Sequence, residues 1–285
     1  MSSEIVWLNG EILPMADARI GVEDRGYQFA DGVYEVVRIY NGRPFTFKEH
    51  LDRLERSAAG IKLSLPISRG DLESGLLKLV DRSGVREGMI YLQATRGVAP
   101  RNHVFPETPA GTVVAYCRPL PPVPAAGQGD GAKLLAVPDE RWKRCWIKAI
   151  ALLPNVLAKN EAISQGYDEA VFIEDGIVTE CSASNLFAVI DSKVVTHPVG
   201  PKVLPGITRA VLLECAAELG IVVQERVVMQ DEATAAQEMF ITSTTREASW
   251  VSHWNNRTIG DGRCGPITAK LHRALQKRVK GETNG

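Results

Sequence analysis

The sequence has no excess of either charge. It contains 33 lysine and arginine residues against 34 aspartate and glutamate residues, which gives a formal net charge of -1 at pH 7. Proteins dedicated to nucleic acids or to anionic membranes carry a basic surplus that this chain lacks. The charge balance therefore predicts that neither nucleic acid nor membrane is a partner. Enzymes that act on small molecules remain open.

Cysteine is scarce, and no two of the five cysteines lie close together in sequence. Successive cysteines are 28 or more residues apart, so the paired spacing of a zinc site is missing. Their odd number does not suit a disulfide framework. The five histidines have no metal-ligand spacing either. We therefore expect reduced thiols, a cytoplasmic protein and no bound metal.

Long apolar runs are absent as well. The longest uncharged apolar stretch covers residues 149–158 and includes Pro154 and Asn155, whereas a membrane helix needs roughly 18 apolar residues or more. The first ten residues have neither the basic nor the apolar segment of a signal peptide. The Gly-x-Ser-x-Gly, His-Glu-x-x-His and Gly-Lys-Ser/Thr motifs are also missing, which excludes the common hydrolase, metalloprotease and nucleotide-loop signatures.

The length of the chain, 285 residues, is that of about two domains. Seven of the thirteen residues 119–131 are proline or glycine, against 41 of 285 in the whole chain, and this composition is typical of a linker. We predict an N-terminal domain at 1–118, a linker at 119–131 and a C-terminal domain at 132–285.

Local patterns predict different architectures for the two domains. In the first, Asn-Gly pairs at 9–10 and 41–42 predict hairpins, and Ser68 followed by Asp71 predicts a helix start. With a helix at 48–59 and strands at 89–96 and 112–118, this domain is α+β. The second domain is mixed α/β without a regular strand–helix alternation. Its predicted helices lie at 153–165, 206–219 and 267–279, and its strands at 133–137, 169–173, 177–180, 186–190 and 194–196.

Lys148 is an unusual residue because its neighbours on both sides are apolar. Burial disfavours a protonated amine and so favours the neutral, nucleophilic form that a Schiff-base lysine needs. Local sequence alone also allows a lysine whose stem packs while its head reaches water, and this is the more common case.

Other segments contain the groups of a phosphate-cofactor site. Thr208 lies where a helix is predicted to begin after Pro205, and free amides there can hold a phosphate. Ser243 and Thr244 follow a short apolar strand and offer hydroxyl groups. Arg53 can supply a countercharge. Each signal alone is weak, because a threonine at a helix start is usually a cap.

Three further residues could contact a ring or a carboxylate. Glu180 ends an apolar strand, where it could accept a proton from a pyridinium nitrogen or simply occupy a turn. Arg101 and His103, two residues apart in a loop, could converge on a carboxylate. A solvated basic loop has the same local sequence.

Taken together and in this order, these segments resemble the class IV pyridoxal-phosphate aminotransferases, from about residue 7 to residue 275. Within that class the chain resembles the bacterial D-amino-acid aminotransferases. The matching segments are DRGYQFADGVYEVV (24–37), EHLDRL (49–54), TRG (95–97), RNHVFP (101–106), RWKRCWIK (141–148), VLAKNEA (156–162), LPGITR (204–209) and TSTT (242–245).

The resemblance implies a fold with an α+β N-terminal domain and a mixed α/β, barrel-like C-terminal domain. It also implies a homodimer with shared active sites, which binds pyridoxal 5'-phosphate and exchanges amino groups between D-amino acids, such as D-alanine or D-glutamate, and 2-oxo acids. The implied site residues are Lys148 as the Schiff-base lysine and Glu180 at the ring nitrogen; Leu204 against the ring; Arg53, Ile207, Thr208, Ser243 and Thr244 at the phosphate; and Tyr34, Arg101 and His103 at the substrate carboxylate, the last two from the neighbouring subunit.

Some of these motifs identify the class and others its branch. The segments at 179–180, 184–187 and 204–209 also occur in branched-chain aminotransferases, whereas the Arg101/His103 pair and the Tyr34 segment indicate the D-amino-acid branch. An L-branched-chain aminotransferase or an aminodeoxychorismate lyase of the same fold is the alternative, and a cofactor-free binding protein is a further one. Ala183 stands where relatives often have serine, which puts one secondary contact in doubt.

Overall fold

The computed structural model describes residues 4–283. Contacts between residues divide the chain into two compact units. The first contains the chain up to Pro122, the short segment Ile147–Ala151 and the end of the last helix from Glu282. The second contains Val123–Trp146 and Leu152–Gly281. The chain therefore returns to the first unit for five residues, and these five include Lys148.

The first unit is a six-stranded antiparallel sheet covered by helices on one face. The strand order is β2-β1-β6-β5-β3-β4. Its strands are β1 (Ile5–Leu8), β2 (Glu11–Pro14), β3 (Gly32–Tyr40), β4 (Arg43–Pro44), β5 (Gly88–Val98) and β6 (Ala110–Pro119), and its helices are α1 (Arg25–Phe29), α2 (Phe47–Gly60) and α3 (Arg69–Ser83), with a 3-10 turn at Met15–Asp17.

Alternation along the central strands places the core of this unit on one face of the sheet. In β3, Val33, Val37 and Ile39 are fully buried, whereas Tyr34 and Val36 between them are only half-buried. Successive strand residues point to opposite faces, so the apolar set meets the apolar sides of α2 and α3. The other face of the sheet is left for Tyr34 and its neighbours.

The second unit is built on a ten-stranded mixed sheet. Its order is β12-β11-β10-β14-β15-β7-β8-β9-β13, with β16 paired to β15, and β9 also packs on β10, so the sheet curls. Its strands are β7 (Ala132–Pro138), β8 (Glu169–Glu174), β9 (Ile177–Cys181), β10 (Asn185–Ile190), β11 (Lys193–Thr196), β12 (Val223–Glu225), β13 (Val228–Met229), β14 (Glu238–Ser243), β15 (Glu247–Trp254) and β16 (Arg257–Thr258), and its helices are α4 (Leu153–Ser164), α5 (Ile207–Glu218), α6 (Gln230–Thr234) and α7 (Pro266–Thr283).

The predicted fold class, α+β followed by mixed α/β, is confirmed. The predicted capping by Ser68 is present, since its side chain accepts from the amide of Asp71, and α7 begins at Pro266. Helix α1 was not predicted, because its five residues are too few to show a period of 3.6. That helix is defined by its cap, because the Asp24 side chain accepts from the amide of Gly26.

All five cysteines are unpaired thiols, four of them buried and Cys264 half-buried. In the part of the chain that the structure describes, no helix combines the length and the apolar character that a membrane span requires.

Candidate active site

Lys148 lies beside β3, the strand that contains Tyr34. The Tyr34 amide donates to the Lys148 carbonyl at 3.0 Å, and the Lys148 amide donates to Ser57 Oγ at 3.1 Å. The neighbouring pair Val33 and Ala149 forms an antiparallel bridge. The backbone of Lys148 is thus held from a strand and from a helix, and its Nζ lies 4.2 Å from the centre of the Tyr34 ring.

The environment of Lys148 is less apolar than its sequence neighbours suggest. Ile147 and Ala149 are buried, but Lys148 itself is half-buried. An ammonium over an aromatic face makes a favourable cation–π contact. The side chain is therefore directed to Tyr34 and not merely packed along its stem.

The Tyr34 ring belongs to a stack of three tyrosines. Its centroid lies 5.9 Å from that of Tyr91, which in turn lies 5.2 Å from that of Tyr116. Burial, together with Tyr116 and Tyr34, raises the pKa of Tyr91 to about 12. The Tyr91 hydroxyl is therefore neutral, and it donates to Gln93 Oε1 at 2.8 Å. The stack supports the ring that faces Lys148.

Arg53 is buried and bound to a buried carboxylate, that of Glu35 on β3. Its Nε and Nη2 donate to the two oxygens of Glu35 at 2.7 and 2.8 Å, and His50 Nδ1 lies 2.8 Å from the same carboxylate. Burial alone would raise the pKa of Glu35, but the Arg53 charge and its hydrogen bonds hold that pKa far below its ordinary value. Burial lowers the pKa of His50, so a neutral ring donates to Glu35.

Arg101 and His103 come together on a different part of the first unit, around Phe29 of α1. The Arg101 guanidinium lies 4.5 Å from the centre of the Phe29 ring, and the His103 ring meets that ring edge-on at 5.4 Å. Both residues are exposed. Tyr34, the third residue expected at the substrate carboxylate, contacts Lys148 and Tyr91 instead.

In the second unit, Glu180 is a buried carboxylate at the end of β9. It accepts from Arg141 Nη1, from Asn185 Nδ2 at 3.0 Å and from the backbone amide of Leu204 at 3.1 Å. Three donors from three segments therefore fix its orientation. A carboxylate held in this way can bind a protonated ring nitrogen without rearranging.

The predicted phosphate donors of the second unit are close to Glu180 through Asn185. The Asn185 side chain also donates to the Leu204 carbonyl at 3.0 Å, and Asn185 pairs with Thr242 across β10 and β14. Ser243 and Thr244 follow directly, both half-buried. Two residues after Leu204, Gly206 is the N-cap of α5, which packs against β14.

The start of α5 has the donors that a phosphate needs. Among the described residues, no side chain caps this helix at Gly206, and the first amides of a helix, here those of Ile207 and Thr208, have no partner within the helix. Pyridoxal phosphate is bound by helix amides and hydroxyl groups at its phosphate and by a separate carboxylate at its ring nitrogen. The residues present fit that group.

Arg141 and Asp139 form an ion pair next to Glu180 that was not predicted from the sequence. Arg141 belongs to a segment matched above but received no role. It donates from Nε and Nη2 to the two oxygens of Asp139 at 2.9 and 2.8 Å, while Nη1 binds Glu180. Burial favours the neutral acid, yet Arg141 lowers the pKa of Asp139. The run Asp-x-Arg just before a candidate lysine was the available signal.

The residue that departs from the expected pattern, Ala183, lies exposed in the turn between β9 and β10. The adjacent Ser182 is buried and donates to Glu169, and its carbonyl accepts from Asn155 at 2.8 Å. The turn is therefore tied to the unit by Ser182, while position 183 presents only a methyl group.

Comparison with known proteins assigns the family. The sequence profile of Amino-transferase class IV matches residues 32–254. This range contains Tyr34, Lys148 and Glu180. The chain belongs to the class IV aminotransferases.

Several individual relatives and solved structures are similar to the chain over nearly its full length. The chain is 43% identical over 278 residues to the D-alanine aminotransferase of Bacillus licheniformis, covering 98% of both chains. It is 45% identical over 277 residues to that of Listeria monocytogenes, covering 96% of both. Among solved structures it is similar to the branched-chain aminotransferase of Escherichia coli, with a TM-score of 0.91 at 27% identity, covering 99% of this chain and 96% of that chain. It is also similar to the T.th. branched-chain aminotransferase with pyridoxamine 5'-phosphate, with a TM-score of 0.90 at 28% identity, covering 100% and 98%.

Proposed function

We propose that this protein is a pyridoxal-phosphate-dependent aminotransferase that transfers the amino group of a D-amino acid to a 2-oxo acid. The observation that carries the proposal is the Glu180–Leu204 hydrogen bond at 3.1 Å. This bond links the buried Glu180 carboxylate to Leu204, which is two residues before the uncapped N-terminus of α5 at Gly206. A carboxylate that can bind a ring nitrogen and amides that can bind a phosphate therefore meet at one short segment.

Each site residue has a role that its surroundings support. Glu180 would hold the proton at the ring nitrogen, and Leu204 would lie against the ring. The amides of Ile207 and Thr208 bind the phosphate dianion. The residues that complete the phosphate site are Arg53, Thr208, Ser243 and Thr244. Tyr34, Arg101 and His103 bind the carboxylate of the substrate.

Lys148 moves the proton. Bound pyridoxal phosphate supplies an electron-withdrawing ring that stabilises negative charge at the substrate Cα. The Lys148 amine would take the proton from Cα and return it to the cofactor carbon, which is general acid–base catalysis. The contacts of its backbone with Tyr34 and Ser57 fix where the side chain starts, so the amine approaches Cα from a constant direction.

The choice of D- over L-amino acids rests on the relatives and on one pair of residues. The D-alanine aminotransferases are 39–45% identical over nearly the full length, whereas the branched-chain structures are 25–28% identical. The side of the pocket that binds the carboxylate decides which enantiomer points its Cα–H bond at Lys148. Arg101 and His103 would supply that side. An L-branched-chain substrate is the alternative, and it fits these identities less well.

We further propose a homodimer in which Arg101 and His103 serve the neighbouring subunit's site. The loop that contains Arg101 and His103, and the segments 20–27 and 98, expose large apolar side chains of the kind found at protein–protein contacts. These side chains are Ile20, Val22, Tyr27, Val98, Val104 and Phe105.

The unpaired cysteines suit a cytoplasmic location. The domain bounds 1–118 and 132–285 also remain a proposal.

The visible absorption of the purified holoenzyme tests the function. We expect a band from bound cofactor that D-alanine changes and L-leucine leaves unchanged. We also expect that Lys148→Ala abolishes the native band, whereas Lys143→Ala, which removes an exposed lysine of the same segment, keeps it.

The response to the two amino acids, the binding of cofactor and the Lys148→Ala variant each test a different part of the proposal. A band changed by L-leucine and not by D-alanine would favour the branched-chain alternative. Absence of any cofactor band after addition of pyridoxal phosphate would overturn the enzyme assignment. An unaltered band in Lys148→Ala would remove the role of that lysine.

A further inference from the structure

The motif at 24–37 and the motif at 95–97 contain residues to which the proposed function gives no role. Arg25 is one of them. It is 3% exposed, and its Nη1 donates to the carbonyls of Asn102 and Val104. A buried arginine therefore binds the backbone of the exposed loop that carries Arg101 and His103.

Arg25 is itself held by Asp31. Its Nε donates to Asp31 Oδ2 at 2.8 Å, and Arg96 binds the same carboxylate at 2.8 and 3.0 Å. Burial would raise the pKa of Asp31, but the hydrogen bonds of Arg96 and Arg25 lower it. The carboxylate therefore stays charged between two guanidinium groups, and charge-assisted bonds of this kind are the strong ones.

Arg96 connects this cluster to α2. Its Nη1 donates to the Lys62 carbonyl at 2.9 Å and its Nη2 to the Ile61 carbonyl at 2.8 Å. These carbonyls lie just beyond the end of α2. The cluster of Arg25, Asp31 and Arg96 is thus bound to the segment after α2, and Arg25 connects it to the loop by hydrogen bonds.

Phe29 completes the support. The Arg25 guanidinium lies 4.9 Å from the centre of its ring on the same helix, and Arg101 lies 4.5 Å from that centre. His103 meets the ring at 5.4 Å. The two loop side chains therefore share one platform, while the backbone between and beyond them is held by Arg25.

We propose that Arg25 is a positioning residue for the substrate carboxylate: by holding the carbonyls of Asn102 and Val104, it fixes Arg101 and His103 against Phe29. This inference rests on the proposed role of Arg101 and His103. Arg25 contacts no substrate in this scheme. It acts by keeping an exposed loop in one conformation, which removes the entropy cost of ordering that loop when a substrate binds.

The test compares three variants of the holoenzyme with the wild type. Arg25→Met removes every polar contact, and Arg25→Lys keeps the charge with a single nitrogen. Arg56→Met removes an exposed arginine of α2 and serves as the control. The measurements are KM and kcat for D-alanine, and hydrogen exchange of the backbone amides at 101–105 by mass spectrometry.

We expect Arg25→Met to raise the KM for D-alanine about tenfold, the size of one lost charge-assisted hydrogen bond. Its kcat should change little, and exchange at 101–105 should accelerate while exchange in α2 stays constant. Arg25→Lys should give a smaller increase in KM, and Arg56→Met none. If Arg25→Met does not fold, Arg25→Lys alone decides.

Two results would overturn the proposal. One is unchanged exchange at 101–105 in the Arg25 variants. The other is a loss of kcat at constant KM, which would indicate general damage. The proposed function fails separately, in the wild type, if D-alanine does not change the cofactor band. The exchange experiment still shows in that case whether Arg25 holds the loop.

Discussion

At the scale of single residues, Glu35 organises the buried charges next to β3. It binds Arg53 through both of its oxygens and His50 through one. An arginine with this partner keeps one orientation, which a phosphate site needs. Removal of one partner from a buried ion pair leaves the other uncompensated, so Glu35 supports both stability and the position of Arg53.

We predict that the stability of the protein depends on Glu35 in a defined pH range. The pKa of Glu35 is lowered in the folded state, from an ordinary value of 4.5. Its contribution is therefore complete above about pH 4.5 and is lost as the pH falls below it. Below that pH, Glu35 makes the free energy of unfolding fall by up to about 1.4 kcal/mol per pH unit.

Urea unfolding of the wild type, Glu35→Gln and Glu49→Gln between pH 5 and pH 3 checks this. Glu35→Gln should be less stable at neutral pH by about 3 kcal/mol and should show the shallower pH dependence. Glu49, on the same helix as Arg53, is exposed, so Glu49→Gln should behave as the wild type does. Equal slopes in all three proteins would contradict the assignment.

At the scale of elements, the turn into α5 depends on a glycine. A Cβ built on Gly206 would lie 2.0 Å from Asn185 Oδ1, which is a steric clash. The backbone angles there, φ -64 and ψ 136, suit any residue, so space and not conformation requires glycine. Asn185 in turn binds Glu180 and the Leu204 carbonyl.

We predict that Gly206→Ala weakens cofactor binding by about tenfold, because the displaced Asn185 loses a hydrogen bond to the Glu180 carboxylate. The measurement is the dissociation of cofactor from the holoenzyme on dilution, followed by its absorption. Gly200→Ala is the matched control, since an added Cβ at Gly200 meets nothing within 4 Å. Equally tight binding in both variants would show that the turn tolerates the shift.

At the scale of the whole molecule, the proposed dimer makes a testable demand. If Arg101 serves the neighbouring subunit while Lys148 serves its own, two defective chains can repair each other. A mixed dimer of Lys148→Ala and Arg101→Leu chains would contain one complete site and one site with both defects.

We therefore predict that refolding these two variants together restores about a quarter of the wild-type activity at low D-alanine, because half of the dimers are mixed and each has one complete site. Either variant refolded alone is the control and should remain inactive or poorly active. Activity that never exceeds the mean of the two separate controls would contradict the sharing of sites.

Much of the fold was predictable from local sequence. Ser68 and Pro266 mark helix starts because a cap and a first-turn proline act within a few residues. Asn-Gly pairs mark the turns after β1 and β3, where Asn9, Gly10, Asn41 and Gly42 all have positive φ. The short α1, α6, β12, β13 and β16 were not predicted, because segments of two to five residues show no period. The eight-residue strand β15 was missed as well.

The candidate site was predictable as a set of residues and not as an arrangement. Lys148, Glu180, Thr208 and Ser243 could be chosen by chemical type and by resemblance. The partners that orient them were not available in the same way. Arg141 is 39 residues from Glu180 in the chain, and no local pattern connects the two. Their roles in catalysis remain predictions.

The family, the residue types at the site and most helices and strands follow from the sequence, because propensity, capping and motif order are local properties. The pairing of the charged side chains follows from the tertiary structure. In the folded protein, Lys148 lies against Tyr34, and Arg53 binds Glu35. Arg141 binds Asp139, and Arg25 binds the backbone of the loop that contains Arg101. The near-zero net charge is a sum over the whole chain and does not show these pairs. The interaction between two charges depends on the distance between them, and that distance is known only from the fold.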